Sequence, residues 1–187
     1  MRIIGGAWRG RRLADVGAGD AAAHLRPTLD RVRETMFNLL LNGHHADPVT
    51  GARVLDLFAG TGALGLEALS RGAAHATFVD NGAAARALLR KNIALCRAQG
   101  AARVVPRDAA RLGGHRGTPF DLVFLDPPYG QGLGAVALAA GLAGGWIRAG
   151  ALIIWEGAIP PATPSALCML DQRPCGGSVI SILEAAD

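Results

Sequence analysis

The amino-acid sequence predicts an α/β protein with a doubly wound, mostly parallel seven-stranded sheet, and three observations carry the prediction. Short apolar runs alternate with stretches of helical periodicity from residue 53 onward, the pattern of strands joined by crossover helices. The run Val54, Leu55, Leu57 and Phe58 breaks at Gly60-Thr61-Gly62, and a helical stripe of Leu64, Leu66, Ala68 and Leu69 follows until Gly72 stops it. Finally, Asp56, Asp80, Asp108 and Asp126 fall at or near the ends of four predicted strands, the edge on which such sheets bind ligands.

The 187 residues suffice for one such domain and a short extension. The expected division is a basic hairpin and helix over 1–50, followed by the sheet domain over 51–187. Residues 2–13 predict a small hairpin turned at Gly5-Gly6, or a strand bulged there, with Arg2, Arg9, Arg11 and Arg12 around an exposed Trp8. Basic groups interleaved with an aromatic suit a nucleic-acid backbone with a base to stack on, or form a solvated basic arm. Residues 14–24 predict a loop. Leu29, Val32, Met36, Leu39 and Leu40 then form a helical stripe, with Thr28 as N-cap, Asp30 in the first turn, and Arg31 and Arg33 on the opposite side. His44 and His45 lie in the linker to the first sheet strand and have no third ligand nearby, so no metal site is expected.

The second strand is predicted over 76–80. A helix over 83–98 should turn Leu88, Ile93 and Leu95 inward and Arg86, Arg90, Lys91 and Arg97 outward. Strands follow over 103–106 and 120–125, then a helix over 133–142 and a strand over 152–155. An antiparallel pair over 166–170 and 179–183, around a 173–177 turn, closes the sheet.

Half of the residues are hydrophobic. No apolar run approaches the roughly 20 residues of a membrane span, and the first residues lack the apolar segment of a secretory signal, so a cytosolic protein is expected. Separately, a monomer is expected. Cys96, Cys168 and Cys175 are odd in number, far apart and show no ligand spacing, which favours buried thiols in a reducing compartment. The net charge of +4 is carried almost wholly by arginine. That balance fits a polyanionic partner through bidentate phosphate contacts, or reflects genome base composition.

Gly60, Gly62 and Gly65, with Asp80 about 20 residues later, also spell a dinucleotide fingerprint. Asp56 argues against a dinucleotide, because a carboxylate at the mouth of the turn would repel a pyrophosphate by roughly 4 kcal/mol at an effective dielectric near 20. A cationic ligand without phosphates, S-adenosylmethionine, fits Asp56 better and offers ribose hydroxyls to Asp80. Asp126-Pro127-Pro128-Tyr129 follows the fourth strand, and its prolines hold a rigid extended turn. A planar amine has two N–H donors, which the Asp126 carboxylate and the Pro127 carbonyl can accept while Tyr129 stacks on the ring.

These blocks, together with Arg2-Ile-Ile-Gly-Gly, Arg26-Pro-Thr and Arg31-Val-Arg-Glu-Thr-Met-Phe-Asn, resemble the RsmD family of bacterial guanine-N2 methyltransferases of small-subunit ribosomal RNA, over residues 1 to about 156. The resemblance implies a Rossmann-like class I methyltransferase fold, S-adenosylmethionine as donor, and a guanine of the assembled or assembling small-subunit RNA as acceptor. It places Asp56, Gly60 and Gly62 at the methionine end of the cofactor, Asp80 at the ribose and Asp108 by the adenine, and Phe58, Asn81 and Ala109 are expected among the cofactor-binding residues beside them. Asp126 with Tyr129 would hold the guanine, with Pro127 in the same catalytic turn. From the basic pattern itself, Arg2, Trp8, Arg9, Arg11, Arg12, Arg31 and Arg33 are expected to face the RNA, or to form a solvated basic face. Two positions depart from the family: Asp80-Asn81 replaces a Glu followed by an acid, and Arg173-Pro-Cys-Gly replaces a turn with an aromatic. An adenine-N6 methyltransferase and a catalytically silent RNA-binding module are the alternatives. A dehydrogenase would leave Asp126-Pro-Pro-Tyr unexplained.

Overall fold

Seven strands form one sheet in the order β3-β2-β1-β4-β5-β7-β6, in a computed structural model that describes residues 1–14, 30–42, 47–128, 130–158, 161 and 165–186. The predicted N-cap Thr28, the histidines 44 and 45, and Tyr129 lie outside the described residues. The strands are β1 (Arg53–Leu57), β2 (His75–Val79), β3 (Ala102–Val105), β4 (Phe120–Leu125), β5 (Ile147–Gly157), β6 (Leu167–Cys175) and β7 (Ser178–Ala185). β1 to β5 are mutually parallel, while β7 enters antiparallel between β5 and β6. The order reverses between β1 and β4, and there the glycine turn leaves the sheet.

Helices α1 (Asp30–Asn42), α2 (Ala63–Ser70) and α3 (Ala83–Cys96) cover one face with the N-terminal arm, and α4 (Leu133–Ala143) covers the other. On the first face Ile3, Leu13, Phe37, Leu66 and Leu89 pack with Val54, Phe78, Phe124 and Ile154 in one core. On the second, Leu112, Leu138 and Trp146 pack with Leu55, Leu57, Val123 and Leu125. Because both faces are covered, consecutive apolar residues run along both strands, Val54-Leu55 in β1 and Leu122 to Leu125 in β4, rather than alternating with polar ones.

Several local expectations are corrected. Cys96 and Cys175 are buried thiols as expected, but Cys168 is exposed on the edge strand β6. β5 begins at Ile147, five residues earlier than its apolar run, because Phe120 pairs Ile147 across a register shift before Leu122 pairs Leu152. The turn between β6 and β7 is only Gly176-Gly177, both at positive φ (58° and 90°), as a two-residue hairpin needs, so Arg173 lies within β6. α3 is rotated from the expected stripe: Ala85, Leu89, Asn92, Ile93 and Cys96 face inward and Leu95 is exposed. The arm turns through a single 3-10 turn at Gly6–Trp8, not at Gly5-Gly6, and its strands reduce to one antiparallel bridge, Arg2 to Arg12.

Candidate active site

At the end of β1 the chain bends sharply, and Phe58 takes φ 59°, a left-handed conformation unusual for a side chain of that size. Gly60 (φ 53°) and Gly62 (φ 77°) complete the turn, and Gly62 caps α2. A Cβ on Gly62 would lie 2.2 Å from Leu89, and one on Gly65 would lie 2.4 Å from Phe78, so both glycines also let α2 and α3 close on the sheet. Backbone N–H groups therefore line the mouth of the turn at the sheet's switch point.

Three carboxylates converge there. Asp56 is buried, and its Oδ2 accepts the Gly65 N–H at 2.9 Å. Burial pushes its carboxyl well above the usual range; the Gly65 hydrogen bond opposes this and the charges of Asp126 and Asp80 add to it. Such a group is poised to ionise beside a cation. Asp80 holds the turn from β2, with Oδ2 accepting from Gly60 N at 2.9 Å and Oδ1 from Gly82 N at 2.7 Å. Each of those oxygens has a second acceptor site, enough for a ribose hydroxyl. The residues present thus fit S-adenosylmethionine: buried negative potential for its sulfonium and ammonium groups, acceptors for its hydroxyls, and glycines where its chain would lie against backbone.

Around this centre, Asn81 is exposed beside Asp80, and Asp108 caps the 3-10 turn Ala109–Arg111 through Oδ1 and Ala110 N at 2.9 Å, with Ala109 buried. Asp126 is half-buried where β4 ends, and Pro127 is buried. A Cβ on Gly134 would meet both Pro127 and Trp155, so the first turn of α4 is built to admit the proline.

The basic arm is more firmly fixed than its composition suggests. Glu67, fully buried in α2, accepts from Ile4 N (2.8 Å), Gly5 N (2.7 Å) and Arg71 Nε (2.8 Å). Ser70 Oγ donates to Gly5 O at 2.6 Å and accepts from Trp8 N at 2.9 Å. Two expectations fail here. Trp8 is half-buried against the core rather than exposed. Arg33 is fully buried rather than facing out, donating to Arg2 O at 2.5 Å and to Asp30 at 2.8 Å. Its burial lowers its affinity for the proton, which the Asp30 carboxylate partly restores. Arg11 is half-buried and donates to Leu95 O, whereas Arg2, Arg9, Arg12 and Arg31 are exposed.

Sequence reasoning missed Glu67, Ser70 and Asn92 as the groups that seat the arm. The available signal was an acid inside α2, a helix buried on all sides.

The comparisons agree with this geometry. The family model described as "Conserved hypothetical protein 95" matches residues 1–184. The Ribosomal RNA small subunit methyltransferase D of Escherichia coli is 45% identical over 165 residues, covering 88% of this chain and 78% of that protein. Its namesake from Haemophilus influenzae is 36% identical over 181 residues, covering 94% and 89%. Among solved structures, yhhF from Escherichia coli superposes with a TM-score of 0.83 at 40% identity, covering 100% of this chain and 98% of that one. HI0767 from Haemophilus influenzae gives 0.78 at 31%, with the same coverage. Likeness that runs through the arm, the glycine turn and the antiparallel β7 is likeness of the whole architecture, and the chain belongs to the RsmD family of small-subunit ribosomal RNA methyltransferases, with the class I S-adenosylmethionine-dependent fold.

Proposed function

We propose that this protein methylates the exocyclic N2 amine of a guanine in small-subunit ribosomal RNA. The observation that carries the reading is the juxtaposition, at one switch point, of the glycine turn after β1 and the Asp126-Pro127-Pro128 exit from β4, with Asp126 and Asp80 both close enough for their charges to act on Asp56. S-adenosylmethionine, when bound, supplies an electrophilic methyl group.

The chain's own residues do the rest. Gly60 and Gly62 supply the positive-φ turn that would bend the backbone around the cofactor, Asp80 orients its ribose, and Asp56 supplies negative potential from beneath. Asp126 and the Pro127 carbonyl accept the two amine protons, turning the nitrogen lone pair out of conjugation with the ring and toward the methyl group. As positive charge grows on nitrogen, the Asp126 carboxylate stabilises it and receives the N2 proton that methylation displaces. Tyr129 provides a stacking surface for the extruded base. Exposed Arg2, Arg9, Arg12 and Arg31 supply phosphate contacts on the side of the arm.

Single-turnover transfer of labelled methyl to small-subunit particles, followed by nucleoside analysis, tests this. N2-methylguanosine is the expected product, and label on adenine N6 would replace the reading with the adenine alternative.

A further inference from the structure

The fifth strand brings a second acid to the place where the acceptor base enters. β4 and β5 run parallel with Phe124 opposite Ile154 and Leu125 opposite Trp155, so the next pair outward sets Asp126 beside Glu156. Successive side chains of a strand point to opposite faces. Phe124, Ile154 and Ile180 all belong to the core beneath α1, α2 and α3, and Glu156 lies opposite Ile180 on β7. Both carboxylates therefore stand on that face, one step beyond its last apolar layer. Pro127 falls on the other face, where it and Trp155 both adjoin Gly134 of α4, as the same alternation requires. Glu156 is only 6% exposed.

We propose that Glu156 accepts the N1–H of the acceptor base and thereby selects guanine over adenine, an inference that rests on the guanine-N2 reading above. Guanine presents three donors in a row on its Watson–Crick edge, one on N1 and two on N2. The acceptors facing them are Glu156, Asp126 and the Pro127 carbonyl. Adenine carries its amine beside a bare N1 lone pair, which would confront the Glu156 carboxylate directly. The same residue thus rewards the right base and repels the wrong one.

The test uses particles assembled from ligated small-subunit RNA that carries guanine or 2,6-diaminopurine at the methylated position. The second base keeps the N2 amine but has a lone pair at N1. In single-turnover assays the wild-type enzyme should methylate it about 10²-fold more slowly than guanine. Glu156→Gln, whose amide can donate to that lone pair, should bring the two rates within about 10-fold, with cofactor affinity and Tm retained. Glu156→Asp should slow transfer to guanine yet keep the preference. Equal wild-type rates on the two bases would overturn the proposal whatever the variants do, and so would an unchanged ratio in folded Glu156→Gln. N2-methylguanosine with an unchanged ratio would overturn the role of Glu156 alone, whereas label on adenine in native particles would overturn the N2 reading and this inference together.

Discussion

Asn92 donates from Nδ2 to the carbonyl of Thr61 at 2.9 Å, fastening α3 to the glycine turn from beneath. The same buried amide accepts from Ala14 N at 2.8 Å and donates to Ala14 O at 3.0 Å, so one side chain secures both the arm and the cofactor turn. Asn92→Leu removes these bonds and strands backbone groups in the core, with an expected loss of about 3 kcal/mol in urea unfolding. S-adenosylmethionine affinity measured by calorimetry should fall with it, since Thr61 loses its anchor. Unchanged affinity would confine Asn92 to folding.

Glu67 should behave as the socket of the arm. Glu67→Ala leaves two arm amides and the Arg71 guanidinium without their acceptor, at an expected cost of about 3 to 5 kcal/mol. Hydrogen exchange at Ile4 and Gly5 should accelerate well before exchange in β1 and β4. Equal acceleration everywhere would show that the arm unfolds only with the whole domain.

The arginines divide into two sets with different readouts. Arg9→Ala with Arg12→Ala, both exposed, should leave Tm near wild type and flatten the salt dependence of RNA binding by about 0.7 to 0.9 log units per tenfold salt for each phosphate no longer neutralised. Arg33→Met should do the reverse, lowering stability by about 3 kcal/mol by removing the hydrogen bonds to Arg2 and Asp30 while the salt slope holds. A reduced slope in Arg33→Met would assign it to the RNA after all.

Asp56 makes the stability of the free enzyme depend on pH in a defined direction. Its carboxyl takes up protons more readily folded than unfolded, so stability should fall as pH rises from the unfolded carboxylate value, about 3.9, through the raised folded one. Asp56→Asn keeps an acceptor for Gly65 N and should flatten that slope in thermal melts between pH 4 and neutrality. The same variant should bind the cationic cofactor more weakly. A more stable but weaker-binding protein is the expected signature, and an unaltered pH slope would contradict it.

Asp126→Ala should lower single-turnover methyl transfer by roughly 10²- to 10⁴-fold while cofactor affinity changes much less, because the carboxylate serves the amine. Near-full activity would remove Asp126 from the chemistry.

The parts legible in the sequence are those whose signal is local. Residues 54–58 and 120–125 read as buried strands because both faces are covered, and the glycines at 60 and 62 announced a turn that only positive φ can make. What stayed hidden depends on partners distant in the chain. Arg33 had the spacing of an exposed helical residue, and its burial is explained by a carbonyl 31 residues earlier. Glu67 finds its ligands 62 and 63 residues away. Leu95 and Asn92 exchanged the sides their polarity predicts, because the hydrogen bonds of Asn92 to Ala14 and Thr61 outweigh the exposure of one leucine. Glu156 closes an apolar run like any strand-end acid, and its nearness to Asp126 is a matter of register between β4 and β5.

The placement of β7 between β5 and β6 also sets the order in which the protein can be completed during synthesis. β6 leaves the ribosome before β7, yet its sheet neighbour is β7. Until Ser178–Ala185 emerges, β5 presents an unpaired apolar edge and β6 has nothing to add to, the arrangement most prone to wrong pairing between nascent chains. The two glycines at 176 and 177 shorten that interval: once they are out, the hairpin can close locally and dock as a finished unit, sealing the edge in one step.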